Sequence, residues 1–169
     1  MYDSRQLAAI IEKMAGQINA RQLPAPLLVG IHTGGAWLAE QLHPRLDSAP
    51  PLGTLDISFY RDDFSRVGLN PEVKASSLPV AVDNRDIILV DDVLHTGRTV
   101  RAGLNEIFSY GRPERVCLAV LIERPGRELP IQADIVGQSL QLAGHEEAKL
   151  TRDGGRLALN IIDLGKSAP

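Results

Sequence analysis

The run Ile87-Ile88-Leu89-Val90-Asp91-Asp92-Val93-Leu94-His95-Thr96-Gly97-Arg98-Thr99 constrains this chain more than any other stretch. Its four opening residues are apolar and mostly branched, the pattern of a short strand buried on both faces. Two adjacent carboxylates, Asp91 and Asp92, stand at the end of that strand. Thr96-Gly97-Arg98-Thr99 then leads into Val100, Leu104, Ile107 and Phe108, a spacing that lays apolar groups on one face of a helix. A helix start carries unpaired N–H groups and the positive end of the peptide dipoles, which suits a phosphate. Thr96 and Thr99 add hydroxyl donors there, and Gly97 lets the backbone approach an anion closely. The carboxylates would repel a phosphate. They suit sugar hydroxyls, which donate to them, or a developing cation. A ligand with a phosphate at one end and a ribose at the other satisfies both halves.

Other readings of the run fit less well. A Walker loop needs Gly at position 92 and Lys at 98, where this chain has Asp92 and Arg98. A signalling receiver domain carries its acidic pair early in the chain, and this pair lies past the middle. An ordinary strand, turn and helix leaves two acids unused at the end of a buried strand, which costs stability.

The rest of the sequence supplies an α/β frame. Leu7, Ile10, Ile11, Met14 and Ile18 recur at helical spacing behind Asp3 or Ser4 as a cap, and Pro24 and Pro26 close that segment. Residues 27–31 form a second buried strand that feeds His32-Thr33-Gly34-Gly35 and an amphipathic turn through Trp37, Leu38 and Leu42, a second cradle for an anion. Leu55, Ile57 and Phe59 alternate with Asp56, Ser58 and Tyr60, the period of a half-buried strand. Tyr60-Arg61-Asp62-Asp63 opens a polar stretch to about Ala75, a length found in lids and in loops without order. Gly111 is a helix stop. Residues 116–122 form another apolar strand, with Glu123-Arg124-Pro125-Gly126-Arg127 at its carboxyl end, where open parallel sheets place ligands. Residues 133–137 are one more strand, and residues 149–163 a hairpin about Asp153-Gly154. This alternation predicts one α/β domain over residues 1–169, a central parallel sheet flanked by helices, with its core at about 27–137. The chain ends, residues 1–24 and 138–169, are expected to form a small hood over the carboxyl edge.

Composition narrows the setting. With 169 residues, 44% of them hydrophobic, there is room for one substantial core. A net charge of −3 gives no bulk attraction to nucleic acid. The single cysteine, Cys117, sits in an apolar run and reads as core; an intramolecular disulfide or a cysteine-built metal site is excluded, in keeping with a reducing cytosol. No signal peptide or membrane-length apolar run is present, so the protein is expected to be soluble and cytoplasmic.

The central run resembles the phosphoribosyl pyrophosphate (PRPP) signature of type I phosphoribosyltransferases, four apolar residues followed by D-D-x-x-x-T-G-x-T. Its surroundings, Gly111-Arg112-Pro113, Leu118-Ala119-Val120-Leu121, Arg127-Glu128-Leu129-Pro130-Ile131 and Tyr60-Arg61-Asp62-Asp63, resemble a bifunctional branch of that family, whose members regulate pyrimidine operons and are uracil phosphoribosyltransferases. The resemblance is good over about residues 27–137. It implies the type I phosphoribosyltransferase fold and conversion of uracil and PRPP to UMP and pyrophosphate. Asp91 and Asp92 would hold the ribose and its developing charge, and Thr96, Gly97, Arg98 and Thr99 the 5′-phosphate. His32, Thr33, Gly34 and Gly35 would form the pyrophosphate loop. Tyr60, Arg61, Asp62 and Asp63 would open a flap that closes over the site and excludes water. Glu123, Arg124 and Arg127 lie in the loop that receives the base, and Mg²⁺ would arrive with PRPP. His95 stands where purine-using relatives place a general acid or base; it either serves that role or lines the base pocket. Members usually have Thr-Arg-Gly in the pyrophosphate loop, so Gly34 removes a cation whose work falls to His32, Arg61 or Mg²⁺.

The same resemblance implies a homo-oligomer and an alternative function, UMP-responsive binding of leader RNA. Charge argues against strong RNA binding. From Gln138 onward, Lys149, Arg152, Arg156 and Lys166 are balanced by Glu146, Glu147, Asp153 and Asp163, and Arg101, Arg112, Arg115, Arg124 and Arg127 are offset by Glu106, Glu114, Glu123 and Glu128. The basic residues left as candidates are Arg5, Lys13 and Arg21 on the first helix, with Arg124 and Arg127.

Overall fold

Strands rich in branched aliphatic residues on both faces can only be satisfied inside a covered parallel sheet, and that is the centre of this chain. A computed structural model describes residues 1–58 and 75–166; the expected flap residues Tyr60, Arg61, Asp62 and Asp63 lie outside them. Five strands, β1 (Pro26–Ile31), β2 (Leu52–Leu55), β3 (Asp86–Leu94), β4 (Arg115–Glu123) and β5 (Ile135–Ser139), stand in the order β2-β1-β3-β4-β5. Every pairing is parallel. Leu27, Val29, Leu89, Val90 and Val120 are fully buried, so β3 lies in the dry middle.

β3 is longer than its apolar run. It continues through Asp91 and Asp92 and pairs with β4 as far as Leu94 opposite Glu123. The acidic pair therefore belongs to the carboxyl end of the ladder itself, because β4 is equally long and keeps supplying backbone partners.

Helix α1 (Ser4–Ala20) starts at a capping box. Asp3 accepts the Gln6 backbone N–H at 2.8 Å, and the Gln6 side chain accepts that of Asp3 at 2.9 Å. Its buried stripe, Leu7, Ile11, Met14 and Ile18, joins Leu28, Ile88, Ala119 and Leu121 on one face of the sheet, together with Leu38 and Leu42 of helix α2 (Gly34–Leu42). Helix α3 (Arg98–Tyr110) covers the other face through Val100, Ala102 and Ile107. Phe108, expected on that buried face, is 56% exposed. Gly103 explains the difference. A Cβ there would lie 2.9 Å from Ile31 Cδ1, so α3 presses on the sheet along Val100, Gly103 and Ile107. Phe108 lies about 100° further round the helix.

The alternation does not carry the strand from Leu55 to Ile57, and Phe59 lies outside the described residues. β2 begins and ends earlier, in register with β1 from Leu28 opposite Leu52 to Ile31 opposite Leu55. Beyond it the Asp56 carboxylate accepts the Ser58 backbone N–H at 2.9 Å, a local turn that competes with strand pairing. Ile57 is buried all the same.

The C-terminal hairpin is present as β6 (Glu146–Asp153) and β7 (Arg156–Asp163), antiparallel. Its turn residues Gly154 and Gly155 both have positive φ, 51° and 83°, as a tight hairpin turn requires. Tyr2 bridges to Leu159, so the two chain ends meet. Ala148, Leu150, Leu157 and Leu159 enter the same apolar cluster as α1. Cys117 is buried as expected, and burial, then the charge of Asp134, push its thiol up to about 11. Among the described residues no helix is long and apolar enough to cross a membrane.

Candidate active site

The loops after β3 and β4 and the start of the hairpin meet around a cleft of about 380 Å³. From β3 come Asp91 and Asp92. The Asp91 carboxylate accepts the Asp92 N–H at 2.9 Å, and the Asp92 carboxylate accepts the Val93 N–H at 3.0 Å. These bonds fix both acids at the strand's edge, with Asp91 only 4% exposed and Asp92 half-buried. The loop then turns on Gly97, whose φ of 92° falls in the left-handed region, and Thr96 Oγ1 accepts the Arg98 N–H at 3.2 Å. Thr96, Gly97, Thr99 and Val100 line the cleft with the acidic pair, so the first turn of α3 opens directly onto it. The guanidinium of Arg98 goes elsewhere. Its Nε donates to Glu128 at 2.9 Å, and Arg98 is not among the residues lining the cleft.

His32, Thr33, Gly34 and Gly35 lie behind the acidic pair, where β1 turns into α2. The His32–Thr33 peptide is cis. A Cβ on Gly35 would fall 2.4 Å from the Val90 carbonyl oxygen, and one on Gly34 would fall 2.2 Å from Asp92 Oδ2. Two residues without side chains thus let the start of α2 lie against β3. Gly34 and Gly35 lie against Asp92 and the Val90–Asp91 backbone, and none of the four lines the cleft.

After β4 the chain forms a second cleft of about 330 Å³, with Glu123, Arg124, Gly126 and Arg127 on one side and Ser139 and Gln141 on another. Leu94, His95 and Arg124 line both clefts, so they form a common wall. Gly126, at φ 114°, leaves room for the imidazole: a Cβ there would sit 2.6 Å from His95 Nε2. Burial, then the charge of Arg124, hold the pKa of His95 below its ordinary value against the opposing pull of Glu128. The ring is therefore neutral at pH 7. This loop is also fastened to the phosphate-type turn, because the N–H groups of Glu128 and Leu129 both donate to the Thr96 carbonyl, at 3.0 and 3.1 Å.

Two lining residues carried no sequence signal. Glu147 and Ala148, at the start of β6, reach the first cleft. Glu146-Glu147 looks like a solvated pair, and only the inward alternation of Ala148 and Leu150 hints that this strand is packed. Among the described residues, no three His, Cys, Asp or Glu are grouped to hold a metal ion.

Residues 1–150 match the family described as "Phosphoribosyl transferase domain". The chain is 55% identical over 167 residues to the Bifunctional protein PyrR of Nitrosococcus oceani, covering 95% of this chain and 94% of that one. It is 50% identical over 161 residues to the Bifunctional protein PyrR of Pseudomonas fluorescens, covering 93% and 95%. A solved hypoxanthine-guanine phosphoribosyltransferase from Bacillus anthracis superposes with a TM-score of 0.68 over 83% of this chain and 82% of that one, at 19% identity, a likeness of fold. The similarity to the curated relatives takes in nearly the whole chain, beyond the residues 27–137 on which the motifs lie.

Proposed function

The chain belongs to the phosphoribosyltransferase family, in the group of the PyrR proteins, and from that premise we propose that it joins uracil to PRPP, giving UMP and pyrophosphate. The observation that carries this reading is the single cleft onto which both Asp91-Asp92 and the first turn of α3 open. In the reaction the bond from C1′ to the pyrophosphate oxygen breaks, a bond from C1′ to uracil N1 forms, and the N1 proton leaves. Thr96 and Thr99, with backbone N–H groups at the helix start, hold the 5′-phosphate and so orient the sugar. Asp91 and Asp92 accept from the ribose hydroxyls and stabilise the positive charge that grows on the ring. Arg98 acts on the phosphate turn indirectly, through its ion pair with Glu128. The loop His32–Gly35, packed against Asp92, is suited to the departing pyrophosphate. Glu123 and Arg127 offer polar groups to the edges of the base. His95, neutral at pH 7, is able to take the N1 proton as well as to line the pocket.

Hard carboxylate oxygens at the cleft, from Asp91, Asp92 and Glu147, fit Mg²⁺, and since among the described residues no three such groups are gathered to cage it, the ion would be held chiefly through the substrate's own phosphates. When bound, the ion neutralises charge on the leaving pyrophosphate. A single domain of residues 1–169 and a cytoplasmic location belong to the same reading. Exposed Phe108 and Tyr110 on α3 support a homo-oligomer, which sedimentation would test.

Incubating the protein with Mg²⁺, PRPP and each free base tests the proposal. UMP from uracil is expected, with hypoxanthine, guanine and orotate turned over at least about tenfold more slowly, a difference near 1.4 kcal/mol in barrier. Faster use of a purine would overturn the uracil assignment and leave the family standing.

A second reading, a UMP-responsive RNA-binding attenuator, is favoured by one observation: the similar curated proteins are named bifunctional. It adds to the enzyme reading and competes with it only if catalysis is weak.

A further inference from the structure

We propose that Arg124 is a positioning residue, acting on the surroundings of the substrate: its guanidinium ties the C-terminal hairpin to the end of β4 and so holds Glu147 and Ala148 in the wall of the cleft onto which Asp91 and Asp92 open. The proposal rests on the phosphoribosyltransferase reading of that cleft and goes beyond the expectation that Arg124 meets the base.

Position alone would make Arg124 a ligand-seeking cation, since it opens a polar loop at the carboxyl end of a parallel strand. Its environment says otherwise. Arg124 is only 9% exposed. Its Nη1 donates to the Glu146 carbonyl at 2.6 Å and its Nη2 to the Ala143 carbonyl at 3.2 Å. Those carbonyls belong to one closed turn, in which the Glu146 N–H donates to the Ala143 carbonyl at 3.0 Å and the Glu146 side chain accepts the Ala143 N–H at 2.8 Å. The guanidinium therefore grips, as a fork, the turn from which β6 starts. At its own end Arg124 is fixed by its backbone N–H, which donates to the Leu94 carbonyl at 3.0 Å. Leu94 precedes His95, so the grip joins three pieces of the site: the end of β3, the end of β4 and the start of β6. Glu147 and Ala148 immediately follow the gripped turn.

A planar fork can satisfy two carbonyls at once, whereas a lysine ammonium is a point donor on a flexible stem. Arg124→Lys keeps the charge and can reach one carbonyl; Arg124→Ala loses both. Amide exchange over residues 146–150 and Michaelis constants for uracil and PRPP, measured on the full chain, test the assignment. In Arg124→Lys, exchange at 146–150 is expected to rise about tenfold while exchange in β3 stays as in the parent, the loss expected for one charge-assisted bond. KM for PRPP should rise by a similar factor, about tenfold, because Glu147 and Ala148 line the cleft shared with Asp91, Asp92, Thr96 and Thr99, and KM for uracil should change less than about twofold. Unchanged exchange in the hairpin overturns the tether, whatever happens to turnover. A rise in KM for PRPP with a quiet hairpin would make Arg124 a direct anion ligand. If Arg124→Ala fails to fold, seen as fast exchange in β3, the lysine variant carries the test alone. Exchange needs no substrate, so a parent protein that makes no UMP would sink the functional reading while the tether is still judged.

Discussion

Asp92 Oδ2 occupies the place where a side chain on Gly34 would have to begin, 2.2 Å from a Cβ built there. Gly34, where the resemblance leads one to expect an arginine, here makes room for one of the two carboxylates at the end of β3. The contact is with the Asp92 side chain, whose Cγ and Cβ follow at 2.5 and 3.0 Å, so Gly34→Ala is expected to turn Asp92 aside, break its bond to the Val93 N–H and leave the fold intact. KM for PRPP should rise by about tenfold, the worth of one charge-assisted hydrogen bond. Gly35→Ala differs in kind. Its Cβ would meet the Val90 carbonyl oxygen at 2.4 Å and Asp91 Cα at 3.0 Å, both backbone. That crowding should cost about 1–3 kcal/mol and lower the melting temperature by roughly 2–4 °C per kcal/mol. Equal melting points for the two variants would show that the start of α2 is less closely seated on β3 than the geometry implies.

Asp91→Asn with Asp92→Asn should separate chemistry from folding. In each residue the carboxylate oxygen that accepts a neighbouring N–H has an amide counterpart in asparagine, so the local bonds at 2.9 and 3.0 Å survive. The negative charge lining the cleft does not. Turnover is expected to fall by about tenfold to a hundredfold per lost charge-assisted contact, roughly 1.5–3 kcal/mol each, with the melting temperature within a few degrees of the parent. Near-parental turnover would remove both acids from the mechanism.

What was legible in the sequence follows from how local its causes are. The cradle at Asp91–Thr99 could be read because strand, acids, turn and helix are contiguous and each has a distinct composition. The hairpin was legible from its glycine turn and alternation. The extent of β2 is not legible in the alternation through Leu55 and Ile57, because its pairing is dictated by β1 at residues 52–55 and is ended by the Asp56 turn. Phe108 leaves the buried face because that face is chosen by the close approach at Gly103 to Ile31 and Leu89, a tertiary fact that spacing does not carry. Glu147 and Arg124 show the same limit at the site. One lines a cleft built mostly by other elements, and the other spends its charge on carbonyls about twenty residues away in the chain.

His95 gives a pH signature whose sign can be worked out. Its pKa is lowered by burial first and Arg124 second, so the unfolded chain binds the proton more strongly than the folded one. Stability is therefore unaffected by this group well above its ordinary 6.5 and falls as pH drops below that value toward the folded pKa. His95→Gln should lose less stability than the parent between about pH 7 and pH 5. By NMR the imidazole midpoint is expected below 6.5, to rise in Arg124→Gln, to stay near the parent's in Arg124→Lys, and to fall further in Glu128→Gln, because Glu128 is the group that raises it. A midpoint unchanged in both Arg124→Gln and Glu128→Gln would show that neither charge acts on the ring.

RNA binding should be weak and shallow in its salt dependence. Of the cations the sequence nominates for it, Lys13 donates to the Gly137 carbonyl at 3.2 Å and Arg21 to the Asp134 carbonyl at 3.3 Å. Arg124 is buried against Ala143 and Glu146, which corrects its place as a surface contact. Other arginines are matched by acids, as Arg115 is by Asp86 at 2.6 Å and Arg152 by Glu40 at 2.8 Å. Arg5, Lys13, Arg21 and Arg127 are the nominated residues that stand exposed. Neutralising four phosphates gives a slope of log affinity against log salt of about −2.8 on single-stranded RNA. Arg5→Glu, Lys13→Glu, Arg21→Glu or Arg127→Glu should each make that slope shallower by roughly one contact, about 0.7. A slope steeper than about −4 with pyrimidine leader RNA would require about six or more phosphate contacts. Such a result, strengthened by UMP, would put the RNA surface on cations beyond these four and make regulation a function of equal standing with catalysis.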